Sequence, residues 1–256
     1  MSEPGAEVIL ELEDLSKRFG ERVVLDGLSL RVFAGETLVV LGRSGTGKSV
    51  TLRHIVGLDP PDSGRVLYRG RDIAEMDKAE IRAYRCKLGF VFQSAALINW
   101  MNVFDNIALP LRENLRLAPK EIEGAVFEYL RLVDLEKDAA KMPSSLSGGM
   151  KKRVGIARAL AMKPEILLYD EPTAGLDPIM TRSIDELILK TQEVTGATSI
   201  VVTHDLESAF RISDRIALLD KGKIVEANEP EKFRESREPA VRAFLSGESE
   251  PASAGR

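Results

Sequence analysis

A single cysteine, Cys86, occurs in the 256 residues. An internal disulfide is therefore excluded, and so sparse a use of cysteine suits a reducing cytosol. The lone thiol is expected to be inert. Histidine is almost as scarce, with only His54 and His204 present. No apolar run approaches the roughly 18 residues of a membrane-spanning helix. If the chain works at a membrane, another chain must supply the span. Residues 1–7 lack a basic stretch followed by an apolar one, so no signal peptide is expected. Positive charge is not in excess either: the net charge is −4, which argues against a general nucleic-acid binder. No internal repeat is visible. What remains is an ordinary balance of 30% charged and 44% apolar residues, enough to bury one core with a subdomain.

Against that plain background one segment stands out. Gly42-Arg43-Ser44-Gly45-Thr46-Gly47-Lys48-Ser49 matches the G-x-x-x-x-G-K-[ST] phosphate-binding loop in full. A glycine-rich turn can match by chance, but the flanks fit as well. Thr37 to Leu41 is a short β-branched run that reads as a buried strand, and Lys48 to Leu58 reads as a helix. Glycines let successive backbone N–H groups approach phosphate oxygens, and the helix N-terminus adds its positive dipole end. Lys48 is expected to reach the β- and γ-phosphates of a nucleotide, and Ser49 to ligate Mg²⁺.

The rest of the chain alternates strands and helices, which implies a largely parallel sheet covered on both faces. Strands are read at Val8 to Leu12, Val23 to Val32, Arg65 to Tyr68 and Leu88 to Phe92. From about Val103 to Met162 the apolar spacing becomes helical, and a helical subdomain is expected over about 94–162. Ser147 is placed as the N-cap of a helix through Ala161. A helix is read from Pro178 to Val194, then a strand Thr198 to Val202, a short helix, two strands and a helical tail. Residues 246–256 are expected to be a disordered tail.

Ile166-Leu167-Leu168-Tyr169 ends in Asp170-Glu171. A buried strand can deliver acids to its C-terminal edge, where ligands sit in open α/β sheets. Asp170 would support Mg²⁺, and Glu171 would act as general base on water. Gln93 and His204 also follow strand ends; Gln93 could carry its amide to Mg²⁺ and water, and His204 could bond the γ-phosphate. Phe19 could stack on adenine, although a lone aromatic is usually core. His54 lies inside the helix after the loop and reads as a packing or surface residue. The run Lys151-Lys152-Arg153 reads as a solvated face. Trp100-Met101 reads equally as a docking surface or as core.

Leu146-Ser147-Gly148-Gly149-Met150, between the phosphate loop and Tyr169-Asp170-Glu171, resembles the signature of ATP-binding-cassette ATPases. Gln93 stands at the family's Q-loop, Ala174-Gly175-Leu176-Asp177 at its D-loop and His204 at its switch position. The resemblance covers residues 8–245. It implies a P-loop NTPase with a RecA-like core, an antiparallel β subdomain and a helical subdomain. It also implies that two copies pack head to tail, so that Ser147, Gly148 and Gly149 touch the nucleotide of the partner copy. Two departures are present: Met150 where the family usually has Gln, and Phe19 where Tyr is commonest. Leu146 to Arg153, Phe92 to Leu97 and Met101 to Glu113 are similar to the ATPase of Mla-type phospholipid transporters. That likeness implies a peripheral place on the cytoplasmic side of the inner membrane, an integral permease, a substrate-binding protein with an MCE domain, and no nucleic acid. Cassettes for amino acids or lipoproteins share much of the pattern. Chromosome-associated cassettes are disfavoured, because the interval Ser49 to Leu146 has no sustained heptads. Ribosome-acting cassettes carry two copies per chain. A soluble cassette of the iron–sulfur assembly type remains the other alternative.

Overall fold

Alternation of apolar and polar residues at the start of the chain runs further than the short strands read above. In the computed structural model, which describes residues 7–247, β1 (Val8–Phe19) and β2 (Arg22–Phe33) form one long antiparallel hairpin. Leu10, Leu12 and Leu15 of β1 and Leu25, Leu28, Leu30 and Val32 of β2 are buried. Each such side chain contributes about 1.5–3 kcal/mol on burial. β4 (Ser63–Tyr68) pairs with the other edge of β1, and β5 (Arg71–Asp72) follows, giving an antiparallel sheet of order β2-β1-β4-β5.

The chain divides into two compact units, one of residues 7–74 with 202–247 and one of 75–201. The antiparallel sheet belongs to the first. So does β3 (Thr37–Leu41), buried at every residue, which lies parallel to β9 (Arg215–Asp220). β10 (Lys223–Asn228) pairs antiparallel with the far edge of β9. After the loop comes α1 (Lys48–Ile55), shorter than the helix read through Leu58. Gly57, at φ +67°, stops it. Gly57 N–H donates to the carbonyl of His54 (2.9 Å) and Leu58 N–H to that of Arg53 (3.0 Å), the paired bonds of a glycine-closed helix end. α7 (Leu206–Ile212), α8 (Pro230–Arg234) and α9 (Pro239–Leu245) complete the unit. Of the expected tail, residues 248–256 lie outside the described residues.

The second unit holds α2 (Lys78–Cys86), β6 (Leu88–Val91), α3 (Val103–Asn114), α4 (Pro119–Leu132), α5 (Gly148–Leu160), β7 (Ile166–Asp170) and α6 (Pro178–Thr195). β6 and β7 are parallel, and β8 (Thr198–Thr203) lies on the other side of β7 before the chain returns to the first unit. α2 has no counterpart in the sequence reading. It is set by a capping box: Asp77 accepts from the backbone N–H of Ala79 and Glu80 (2.8 Å each), and Glu80 accepts from Asp77 N–H (2.9 Å). Among the described residues no helix is long and apolar enough to cross a membrane.

Candidate functional site

In the first unit, β3 delivers residues 42–47 from a fully buried strand end. The loop is shaped by close approach. A Cβ on Gly42 would lie 2.7 Å from the carbonyl oxygen of Leu219 and 2.7 Å from Thr46 Oγ1. Gly47 sits at φ +107°, where side-chain-bearing residues are rarely found. Thr46 Oγ1 donates to the Arg43 carbonyl (2.9 Å), and Arg22 Nη2 donates to the Gly45 carbonyl (3.0 Å). Lys48 is buried, and its ammonium donates back to the carbonyls of Gly42 (2.7 Å) and Arg43 (3.1 Å). Arg43, Ser44, Gly45 and Ser49 face solvent. α1 begins with no side-chain cap and no acidic residue in its first turn. A cradle that a Cβ would fill, a helix N-terminus and a buried ammonium together fit a polyphosphate.

Phe19 and His204 lie in the same unit. Phe19, at the end of β1, is 49% exposed rather than core, with Lys17 Nζ 5.7 Å from its ring centroid. His204 is exposed just beyond β8. His54, as read, packs: it is buried in α1 and donates from Nδ1 to the Asp59 carbonyl at 2.6 Å. Burial lowers its pKa from the ordinary value.

The second unit holds Gln93, Ser147, Gly148, Gly149, Asp170 and Glu171, and Lys152 joins the backbone of Gln93 to that of Glu171. Four buried apolar residues of β7 end at half-buried Asp170. Glu171 then turns the corner at φ +47° and is itself buried. A left-handed non-glycine costs about 1–3 kcal/mol and persists only where its surroundings hold it. Lys152 is among the groups that hold it, and here the sequence reading needs correction. The run Lys151-Lys152-Arg153 is not a solvated face. Lys152 is 6% exposed and donates to the carbonyls of Gln93 and of Glu171, the latter at 3.2 Å. Arg153 donates to the Val133 carbonyl (2.7 Å) and to Ser183 Oγ (2.7 Å). α5 is packed on most of its circumference, so three consecutive residues, spread through about 200°, cannot all face water. Burial lowers the pKa of Lys152, opposed by the charges of Glu171 and Asp170.

Ser147 caps α5 as expected, its Oγ accepting from Met150 N–H at 3.2 Å, and it is exposed. A Cβ on Gly149 would lie 2.0 Å from Met180 Cε, so this glycine seats α5 against α6. Asp177 caps α6, accepting from the N–H groups of Ile179 and Met180 (3.0 Å each). The turn after Gln93 is fastened by residues that sequence reasoning left unassigned. Arg158 donates to the carbonyls of Ala95 (2.7 Å) and Ala96 (2.8 Å). Asn106 is fully buried; it accepts from Ile98 N–H (2.8 Å) and donates to the carbonyls of Ile98, Met101 and Asn102. The signal for Asn106 was a polar residue on the apolar face of a helical period. Trp100, on the loop that Asn106 holds, is 79% exposed and is not core. The oxygen donors read for a metal, on Ser49, Gln93 and Asp170, are of the kind a hard cation such as Mg²⁺ takes.

Residues 25–174 match the ABC transporter family. The chain is 41% identical over 240 residues to a Mycobacterium leprae protein named "Probable ribonucleotide transport ATP-binding protein mkl", covering 94% of this chain and 69% of that one. It is 44% identical over 221 residues to a methionine import ATP-binding protein of Rhizobium johnstonii, covering 86% of this chain and 61% of that one. It is 38% identical over 242 residues to the intermembrane phospholipid transport system ATP-binding protein of Haemophilus influenzae, covering 94% and 92%. Among solved structures, it is similar to the dimeric, post-hydrolysis state of an ATP-binding cassette bound to ADP and Pi. There the TM-score is 0.78 at 35% identity, covering 86% of this chain and 98% of that one.

Proposed function

From a chain that belongs to the ABC transporter ATPase family as its ATP-binding subunit, we propose the following reading: it hydrolyses MgATP as a head-to-tail pair and powers phospholipid movement through a separate permease. The observation that carries the nucleotide part is the loop 42–49, with buried Lys48 folded onto its own carbonyls behind an uncapped helix. Gly42 to Ser49 bind the phosphates, Phe19 stacks on the base, and His204 bonds the γ-phosphate. Glu171 accepts a proton from water as its oxygen attacks the γ-phosphorus and the bond to ADP breaks. Ser49, Gln93 and Asp170 would hold Mg²⁺, which when bound neutralises charge on the phosphates. Ser147, Gly148 and Gly149 serve the nucleotide of the second copy, a reading supported by the dimeric cassette structure.

For the cargo, support comes from Met150 in the signature, the segment Met101 to Glu113, and the phospholipid-transport relative. The methionine-import relative favours a second reading, an amino-acid transporter ATPase. In the phospholipid reading the chain sits at the cytoplasmic side of the inner membrane with a permease and an MCE-domain protein. The test is to isolate the chain with its native membrane partners and reconstitute them in vesicles. ATP-dependent phospholipid movement, abolished by Glu171→Gln, is expected. Movement of an amino acid with no lipid would overturn the cargo assignment and leave the transporter ATPase.

A further inference from the structure

Three left-handed, non-glycine residues flank the groups assigned to hydrolysis: Ala95 (φ +59°) and Ala96 (φ +44°) just after Gln93, and Glu171 itself (φ +47°). Their carbonyl oxygens share one feature. Each accepts a hydrogen bond from a cation of α5. Arg158 spreads its fork over Ala95 O (2.7 Å) and Ala96 O (2.8 Å). Lys152 donates to Glu171 O (3.2 Å) and also to Gln93 O. Lys152, Gly155 and Arg158 recur at three-residue spacing and so share one face of the helix. Gly155 lets that face come close: a Cβ there would lie 3.3 Å from the Ala95 Cβ. Hydrogen bonds from a charged donor are roughly twice as strong as neutral ones, which suits them to holding strained backbone. The same helix begins at Ser147.

We propose that Lys152 and Arg158 are positioning residues for hydrolysis: they fasten the signature helix to the backbone of Gln93, Ala95, Ala96 and Glu171, and thereby set where the Gln93 and Glu171 side chains point. The proposal rests on the assignment of Glu171 and Gln93 made above. It predicts that loss of either cation damages turnover rather than nucleotide binding.

The test uses the full chain in its native complex, with kcat, KM and MgATP affinity measured for Lys152→Met, Lys152→Arg, Arg158→Lys and Glu171→Gln. Lys151→Met, which alters the neighbouring half-exposed charge, serves as control and should keep the wild-type rate. Lys152→Met keeps the volume and removes the donor. Its kcat should fall about 10- to 100-fold, the scale of a small misplacement of catalytic groups, with MgATP affinity within about twofold of wild type. Lys152→Arg should recover most of the loss. Arg158→Lys keeps the charge but not the fork, so it folds and should still lower kcat several-fold. If Lys152→Met turns over at the wild-type rate while Glu171→Gln is dead, the proposal fails alone. If kcat, affinity and melting temperature fall together and Lys152→Arg rescues none of them, the pair is only a structural brace and the proposal is also overturned. If Glu171→Gln hydrolyses at the wild-type rate, the base assignment fails and takes the proposal with it.

Discussion

Gly47→Ala isolates the physics of the loop, because the new methyl group has nowhere to go. Gly47 sits at φ +107°, and an added Cβ would lie 2.8 Å from Leu25 Cδ2 and 3.1 Å from the Val24 carbonyl oxygen. The backbone conformation costs an L-residue about 1–3 kcal/mol. Forcing a methyl against β2 costs about another 1–3 kcal/mol. A loss near 4 kcal/mol, at about 2–4 °C per kcal/mol for a chain of this size, lowers the melting temperature by about 8–16 °C. Gly45→Ala is the internal comparison. Its φ is +80°, but the nearest atom to a new Cβ is the mobile end of Arg22, at 3.3 Å. Only the backbone cost of about 1–3 kcal/mol applies there. Thermal melts of both variants, with and without MgATP, read the two effects separately. Wild type should gain about 2.7 kcal/mol from MgATP at one hundred times Kd, and Gly47→Ala should gain almost nothing because its cradle is displaced. A Gly47→Ala chain melting within about 2 °C of wild type would refute the packing argument. So would a Gly45→Ala chain more damaged than it.

The remaining predictions follow from other residues. His54 is held below its ordinary pKa of 6.5 by burial, so the folded chain keeps it neutral while the unfolded chain protonates. The stability this provides is present above 6.5 and is lost as pH falls from 6.5 toward the lowered folded value. His54→Gln should flatten that segment of a plot of urea midpoint against pH; an unchanged slope refutes it. Asn106→Leu orphans the carbonyls and the N–H that Asn106 satisfies, and should cost about 2–5 kcal/mol in denaturant unfolding. Trp100→Ala should leave stability within about 0.5 kcal/mol of wild type, as expected of an exposed site, yet uncouple transport from hydrolysis in the reconstituted complex. Mixing Lys48→Ala chains with Ser147→Arg chains should restore partial hydrolysis through one intact site per pair, whereas no recovery counts against shared sites.

Local signals explain most of what the sequence disclosed. β3, the loop and α1 were legible because a buried strand, a glycine motif and a helix start follow one another without tertiary help. Ser147 and β7 were legible for the same reason. Two misses were local as well: Asp77 and Glu80 spell a capping box before α2, and Gly57 marks the end of α1. Lys152 was a miss of another kind. Three consecutive cations look like a wet surface, and only the packing of α5 decides which of them is drawn inside. The strain at Glu171 and at Ala95 and Ala96 was equally invisible, because nothing in their side chains calls for a left-handed backbone.

The helix starts of the chain, taken together, say where an anion belongs. Asp77, Asn102, Ser147, Asp177 and Asp205 cap α2, α3, α5, α6 and α7 with side-chain oxygens. Proline opens α4, α8 and α9, removing one donor from each. Among the described helices α1 alone has no side-chain cap, no proline and no acidic residue in its first turn. A helix start normally gains about 1 kcal/mol from a cap, so leaving α1 bare forgoes stability in the empty chain and returns it when phosphate arrives. The start of α5 is built differently. Ser147 Oγ already accepts from Met150 N–H, and the bond leaves its hydroxyl hydrogen to donate outward. In the proposed reading α1 would bind the phosphates and α5 would offer that hydroxyl to the nucleotide of a second copy.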